Sequence, residues 1–236
     1  MNNFIKKKYY RLLGSKNVLK IFYLYHKLFG EKYLGNLNFD FSKKKNRIEI
    51  IQKLISLKNY RSYLEIGTFK NEVFDKVFCN KKIGVDPFSG GNTRMTSDEF
   101  FRKNKDKFDL IFIDGLHTYQ QVKKDILNSI NFLNDNGVIL IHDCLPQDYF
   151  ANASPRSVYK WNGDVWKAFV EMRTKNNLDS YCCFADEGIG VILKRDNKNL
   201  LNLEIKDFSK MEFNYFFNNY KKLMNLKEFD EILNKI

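Results

Sequence analysis

The sequence contains no long hydrophobic run. Across its 236 residues, no apolar stretch approaches the roughly 20 residues that a membrane-spanning helix needs. The first eight residues, MNNFIKKK, also lack the clean apolar stretch and the small-residue cleavage site of a secretory signal peptide. Together these absences predict a cytoplasmic protein.

Motif-forming cysteines and glycines are absent as well. The 4 cysteines form no CxxC pair and no cysteine–histidine cluster with zinc spacing. In a chain without a secretion signal we expect them to be reduced structural thiols. The dinucleotide fingerprint GxGxxG does not occur either, which argues against an NAD or FAD enzyme.

Acidic residues are fewer than basic ones. The chain has 28 Asp and Glu but 40 Lys and Arg, which gives a net charge of +12. Because the lysines are scattered through the chain, a solvated basic surface is the simplest explanation. Attraction of an anionic acceptor, such as a phosphate ester, ranks second, and a nucleic-acid groove ranks third. We divide the chain into a basic, aromatic helical extension (residues 1–43), one central domain (44–196) and a C-terminal helical extension (197–236).

Strands and helices alternate through the central domain. Apolar runs predict strands at 63–66, 82–86, 108–113 and 138–141, and a closing antiparallel pair at 180–184 and 190–194. Helical patterns cover 38–58, 73–77, 95–103, 119–133 and 163–175, and the extensions read as helical over 4–34 and 206–236. This alternation predicts an α/β fold, a doubly wound and mostly parallel sheet with helices on both faces.

Titratable residues follow several of these strands. In such sheets the ligand lies beyond the carboxyl ends of the strands, so Glu65, Asp86, Asp114–His117 and His142–Asp143 should converge on one edge. Charged groups at the ends of buried strands need partners and are not required for folding. A functional role is therefore favoured over mutual pairing or helix capping.

The segments after the first two strands resemble the cofactor site of class I S-adenosylmethionine (SAM)-dependent methyltransferases. Motif I of that class corresponds to the stretch from Glu65 through Gly67 and Thr68 to Asn71, where asparagine replaces the final glycine and tolerates a left-handed backbone. Asp86 stands where the family binds the ribose hydroxyls, although an aspartate before Pro87 also initiates turns. The resemblance implies SAM binding by Glu65, Gly67, Thr68, Asn71, Asp86, Ser97, Asp98 and Asp114, of which Ser97 and Asp98 lie on the adenine side or cap a helix.

Three later blocks, 108–119, 137–143 and 161–167, resemble the small sugar and natural-product O-methyltransferases of that class. The resemblance covers roughly residues 45–195 and implies a Rossmann-like, seven-stranded sheet with one antiparallel strand. In relatives, acids at the positions of Asp114, His142 and Asp143 bind Mg²⁺. Because histidine is a poorer ligand for this hard cation, a metal site of Asp114 and Asp143 is left open.

Histidine offers another chemistry at the same edge. An imidazole suits proton removal from a hydroxyl at neutral pH, so the predicted catalytic residues are His142, Asp143, His117 and Asp114. The base is His142, which we favour, or His117. Trp161 and Asp164 open the helix that walls the acceptor pocket in relatives, with substrate stacking on Trp161 as one role. The alternatives are that Gly163-Asp164 caps this helix and that Trp166 is a core residue.

Signatures of other acceptors are missing. The chain lacks both the Asn/Asp-Pro-Pro-aromatic turn of amino-group methylation and the nucleophilic cysteine of base C5 methylation. The predicted function is thus a SAM-dependent O-methyltransferase that acts on a small hydroxylated acceptor, a sugar or glycan precursor. An RNA methyltransferase and a non-catalytic binding module are the alternatives. The terminal extensions are candidates for lids, homodimer surfaces or, for the N-terminal one, a peripheral membrane helix, although packing on the domain is more common.

Overall fold

A computed structural model describes residues 15–236 of the chain. Seven strands form one sheet: β1 (Ser62–Ile66), β2 (Lys81–Val85), β3 (Phe108–Ile113), β4 (Leu133–Ile141), β5 (Asp179–Cys183), β6 (Ile189–Leu193) and β7 (Leu226–Lys227). Their order across the sheet is β2-β1-β3-β4-β6-β5-β7. Only β6 runs antiparallel to its neighbours. The predicted seven-stranded, mostly parallel sheet is confirmed.

Helices cover both faces of this sheet. In the described residues they are α1 (Lys16–Phe29), α2 (Arg47–Lys58), α3 (Ser97–Lys103), α4 (Tyr119–Asn131), α5 (Tyr149–Asn152), α6 (Val165–Met172), α7 (Phe213–Met224) and α8 (Phe229–Leu233). The predicted helix at 38–58 starts later, because Asn46 caps α2 by accepting hydrogen bonds from the backbone of Ile48 and Glu49.

The sheet separates two apolar clusters. In β3, Ile111 and Ile113 belong to the larger cluster, which includes residues of α4 and α6, while Leu110 and Phe112 belong to the smaller one, which includes residues of α2. Burial of both faces explains why this strand is an almost continuous apolar run.

The helix predicted through Val73 and Val77 does not form. A series of turns follows β1 instead, because Phe69 (φ 43°) and Asn71 (φ 64°) both adopt left-handed backbone angles that interrupt a helix. Val73 and Val77 are nevertheless buried in the smaller cluster. The apolar spacing therefore located core residues correctly but assigned them the wrong local structure.

The C-terminal extension is only partly helical. Asn225 ends α7 with φ 46°, and the next two residues form β7, which pairs parallel with β5. β7 thus completes one edge of the sheet. The division of the chain at residue 196 stays a prediction.

At the other end of the chain, the predicted helix at 4–34 includes residues 1–14, which lie outside the described residues. No helix of residues 15–236 is long and apolar enough to cross a membrane. The cysteines are free, as predicted.

Candidate active site

The predicted site residues meet at one edge of the sheet. The first residues after β1, β2, β3 and β4 all lie there, namely Gly67, Asp86, Asp114 and His142. Backbone hydrogen bonds extend the strand pairing to this level, since Asp114 N donates to the Ile66 carbonyl at 2.8 Å and His142 N to the Ile113 carbonyl at 3.0 Å. The parallel register thus brings residues from four chain segments side by side.

Two histidines and two aspartates form a compact cluster at this edge. His142 Nδ1 lies 3.1 Å from Asp143 Oδ2 and 3.4 Å from Asp114 Oδ1. His117 Nε2 lies 3.4 Å from Asp114 Oδ1, and its Nδ1 lies 3.4 Å from Asp143 Oδ2. Each imidazole therefore bridges the same two carboxylates. All four predicted catalytic residues are brought together.

The charges in this cluster stabilise one another. Burial alone would lower the pKa of His142, but Asp143 and Asp114 outweigh it and raise the pKa well above its usual value. The pKa of His117 is raised against burial by the same two carboxylates. Burial in turn favours protonation of Asp114, yet the two imidazoles hold its pKa far below the ordinary range. Protonated rings and ionised carboxylates are therefore mutually stabilising here.

Arg47 joins the cluster although no sequence motif marks it. Its Nη1 lies 3.1 Å from His142 Nε2 and 3.1 Å from Asp186 Oδ1, and its backbone N–H donates to Asp186 Oδ2 at 2.6 Å. His142 Nε2 also lies 3.6 Å from Asp186 Oδ1. Arg47 therefore pairs with Asp186 on one side of the His142 ring, while Nδ1 on the other side faces Asp143 and Asp114.

The segment before α6 covers His117. The ring of Trp161 stacks on His117 with centroids 5.5 Å apart, and the Trp161 carbonyl lies 3.0 Å from His117 Nδ1. Asn162 Nδ2 donates to Asp143 Oδ1 at 2.7 Å. Arg156 lies over the Trp161 ring at 6.0 Å. Trp161 thus borders the cluster, and its predicted role in the acceptor pocket stays a prediction. Asn162 and Arg156 are additions from the structure.

Asp164 lies next to this wall and bonds to other partners than the cluster carboxylates. Its backbone N–H donates to the His117 carbonyl at 3.0 Å, while its carboxylate pairs with Lys167 Nζ at 2.8 Å. It occupies the N-cap position of α6 without a capping hydrogen bond from its side chain. The predicted substrate role of Asp164 stays a prediction.

The motif I turn adopts the backbone that its sequence requires. Gly67 has φ 89°, and a side chain there would overlap the Asp114 backbone. Asn71 takes the left-handed conformation expected of it, and its Oδ1 accepts a hydrogen bond from Gly91 N at 2.6 Å. Thr68 is buried in the same turn.

Glu65 lies at the end of β1 and is also buried. Burial raises its pKa to about 7, and it accepts a hydrogen bond from Tyr63 Oη at 2.6 Å. It is therefore poised between a neutral and an ionised state near neutral pH.

Asp86 is bound within its own turn. Its Oδ1 accepts hydrogen bonds from the backbone of Phe88 at 2.7 Å and Ser89 at 2.8 Å, and its Oδ2 accepts one from Phe69 at 3.0 Å. A carboxylate has about four acceptor positions, so few remain for two ribose hydroxyls. The turn-forming role considered for this residue is the one its contacts match, and ribose binding requires rearrangement of the loop after β2.

The adenine-side residues contact α4. Gln121 Nε2 donates to Ser97 Oγ and to Asp98 Oδ1, both at 3.2 Å, and Lys124 pairs with Asp98 at 2.7 Å. Neither residue caps the helix, because Thr96 holds the N-cap position of α3. Their cofactor role stays a prediction.

Three residues of the cluster could also hold a metal ion. Asp114, His117 and Asp143 each offer one ligand atom, and these atoms lie within 4.8 Å of one another. One nitrogen and two carboxylate oxygens suit Mn²⁺, Fe²⁺ or Zn²⁺ better than Mg²⁺. The buried oxygen of Asn162, which has no hydrogen-bond partner in the described residues, is a further polar group close to Asp143. The donor set therefore fits a divalent transition metal, with His117 added to the predicted pair.

A comparison with protein families gives one match to this region. Residues 63–144, from β1 to the residue after Asp143, match the family described as a methyltransferase domain. This segment, about a third of the chain, is similar to a methyltransferase domain. The match covers motif I and all four cluster residues, and it confirms the predicted class of SAM-dependent methyltransferase. A comparison with curated protein sequences gives no match.

Solved structures of methyltransferases resemble the fold. An O-methyltransferase from Bacillus cereus in complex with SAH has 11% identity and a TM-score of 0.47, covering 78% of this chain and 93% of that one. The methyltransferase PaMTH1 from Podospora anserina, bound to SAH, has 14% identity and a TM-score of 0.49, covering 77% and 97%. TomG from Streptomyces achromogenes, in complex with SAM, has 12% identity and a TM-score of 0.47, covering 79% and 94%. Likenesses at this level do not identify an acceptor.

Proposed function

We propose that this chain transfers the methyl group of SAM to a hydroxyl of a small acceptor, a sugar or glycan precursor. The observation that carries this proposal is the position of the cluster of His117, His142, Asp114 and Asp143 directly beside the motif I turn of a methyltransferase domain. A non-catalytic scaffold has no need for four bridged titratable groups at this edge.

The cofactor would be held at the ends of β1, β2 and β3. The proposed contacts are the Gly67–Thr68 turn, Asp86 once its loop rearranges, Ser97 and Asp98 on the adenine side, and Asp114. Glu65 lies two residues before Gly67, where it is buried and accepts a hydrogen bond from Tyr63. SAM supplies a methyl group already activated by the sulfonium, so the protein has to align the acceptor and remove its proton.

We assign the proton acceptor to His117. Its side chain is 18% exposed, against 6% for His142, and Arg47 additionally occupies the Nε2 side of His142. The step requires His117 in its neutral form: the acceptor O–H bond breaks as its oxygen bonds to the methyl carbon, the S–C bond breaks to leave SAH, and the proton passes to His117. Asp114 and Asp143 then stabilise the imidazolium.

A bound metal is the competing use of His117. Asp114, His117 and Asp143 would hold the ion, which would polarise the acceptor oxygen as a Lewis acid. Since a coordinated nitrogen has no lone pair left for a proton, the two roles exclude each other at that atom. His142 would then be the remaining imidazole.

The acceptor class rests on the wall around His117. Trp161 presents an aromatic ring of the kind that sugars and flat rings stack against, and Arg156 beside it supplies a positive charge for an anionic acceptor. The net charge of +12 would likewise attract an anionic acceptor.

The proposal is tested by SAH formation from SAM with a panel of free and nucleotide-linked sugars. We expect turnover with at least one sugar acceptor and a loss of about 10²–10⁴-fold in His117→Gln, the usual contribution of a general base. His26→Gln is the matched control, because His26 is the one histidine of the chain outside the cluster. Its Nε2 lies 2.7 Å from the Pro155 carbonyl. Equal activity of His117→Gln and the wild type would overturn the assignment.

A further inference from the structure

Helix α1 exposes a continuous apolar stripe. Five of its large side chains are between 53% and 74% exposed, namely Ile21, Leu24, Tyr25, Leu28 and Phe29. Their spacing of i, i+3, i+4, i+7 and i+8 places them on one side of the helix. Single exposed apolar residues are normal, but a contiguous stripe of this kind marks a contact surface.

The opposite side of α1 is attached to the protein. Leu19 and His26 are buried, His26 Nε2 lies 2.7 Å from the Pro155 carbonyl, and Tyr23 stacks on Phe150 with centroids 4.3 Å apart. Packing on the domain, the arrangement expected from the sequence, therefore accounts for one side of the helix and leaves the stripe uncovered by residues 15–236.

The helix that carries the stripe is basic. Residues 15–34 contain four lysines and one acidic residue, Glu31, so they carry a net charge of +3 out of the chain's +12. Lys16, Lys20 and Lys27 are exposed, and at 100° per residue they lie together on one flank of the stripe.

The single acid of this segment is turned inward. The two carboxylate oxygens of Glu31 accept hydrogen bonds from the backbone of Phe213 and Asn214 at the start of α7, each at 2.7 Å. Within residues 15–34 no other acidic side chain therefore opposes the lysines, although Asp148 lines a cavity together with Tyr23 and Lys27.

We propose that α1 is an interfacial helix that docks this protein on an anionic phospholipid surface. Apolar side chains on one face with lysines beside them are the features that bind a helix in the plane of such a surface, by burial in the acyl boundary and attraction to the headgroups. A second copy fits less well, because a two-fold interface would place two helical segments of charge +3 against each other. The inference does not depend on the proposed methyl transfer.

Sedimentation of the full chain with vesicles tests the proposal. We expect binding to phosphatidylcholine vesicles containing about one third phosphatidylserine, weak binding to pure phosphatidylcholine, and weakening as salt screens the charges. Equal binding to both vesicle types, or no binding to either, would overturn it.

Two sets of variants locate the contact. Ile21→Ser/Leu24→Ser/Leu28→Ser should reduce binding by at least about tenfold. The control Leu57→Ser/Phe78→Ser/Leu127→Ser removes three exposed apolar side chains elsewhere and should bind like the wild type. Lys16→Gln/Lys20→Gln/Lys27→Gln should also reduce vesicle binding by about tenfold or more. The control Lys105→Gln/Lys107→Gln/Lys175→Gln changes three lysines that are exposed elsewhere and should bind nearly as well as the wild type.

A second copy of the chain on the stripe would give a different result. If the apolar triple variant retains vesicle binding but changes the protein from dimer to monomer in analytical ultracentrifugation, the stripe covers a second copy and the proposal is wrong. Melting curves that match the wild type show that α1 still packs on the domain in each variant.

Discussion

Arg47 and His142 lie 95 positions apart in sequence, and Arg47 Nη1 is 3.1 Å from His142 Nε2. The contact links the first residue of α2 to the end of β4. It engages the His142 nitrogen that faces Asp186 rather than Asp114 and Asp143, and we propose that it makes His142 a positioning residue for these two carboxylates.

Removing this contact should affect catalysis more than binding. Arg47→Met leaves His142 Nε2 and Asp186 without their shared donor, so the cluster loses its fixed geometry. We expect kcat to fall about 10- to 100-fold with little change in KM, measured by SAH formation. Arg61→Met, at an exposed arginine, is the control. A change confined to KM would show that Arg47 binds the acceptor rather than positioning His142.

Chelation separates the two uses of His117. If His117 takes the proton, the protein dialysed against EDTA keeps its activity, and added Mn²⁺ or Mg²⁺ changes it little. Activity that disappears with EDTA and returns with Mn²⁺ would instead make His117 a ligand alongside Asp114 and Asp143.

Asp125 should give the stability of the fold a measurable pH dependence. It is buried on α4, and burial raises its pKa to about 6, above the value of about 3.9 in an unfolded chain. The stability that protonated Asp125 contributes is fully present below about pH 4 and is lost as the pH rises through about 6. Asp125→Asn should therefore be stabilised relative to the wild type increasingly from pH 4 to pH 7, by up to about 3 kcal/mol.

Thermal melting over this pH range checks the prediction. Asp135→Asn, at an exposed carboxylate, is the control for the general effect of removing a negative charge. A difference between Asp125→Asn and the wild type that does not change with pH would contradict it.

Gly163 should not accept a side chain. It has φ 63°, and a Cβ would overlap the His117 carbonyl oxygen, so Gly163→Ala combines left-handed strain with displacement of His117. We expect a loss of about 1–3 kcal/mol in unfolding free energy together with reduced activity. Gly35→Ala also has a positive φ, 108°, but open space around it. Its loss of unfolding free energy therefore reports backbone strain without overlap of the side chain. Equal losses in the two variants would argue against close packing on His117.

The sequence predicted the sheet and the ends of its strands well. Strands such as β3 are buried on both faces, so their apolar runs are long and their ends visible, and parallel register then places Asp114 beside His142 without further information. The asparagine at position 71 was correctly interpreted as a left-handed residue.

Contacts between distant segments could not be predicted in the same way. Arg47 begins a helix and Asp186 lies in a hairpin turn. The local sequence pattern explains both residues, so nothing in the sequence indicates that they meet at His142. The turns after β1 were missed because Val73 and Val77 keep helical spacing while Phe69, which ordinarily avoids a left-handed backbone, adopts one.

The central claim is that the edge formed by Gly67, Asp86 and Asp114 binds SAM, and calorimetric titration of the folded wild-type chain with SAH tests it most directly. Asp86→Ala is a poor probe, because it also removes three hydrogen bonds of the turn. The account predicts binding of one SAH per chain and none of NAD, whose fingerprint the chain lacks. A folded chain that shows no heat of binding with SAH would contradict it.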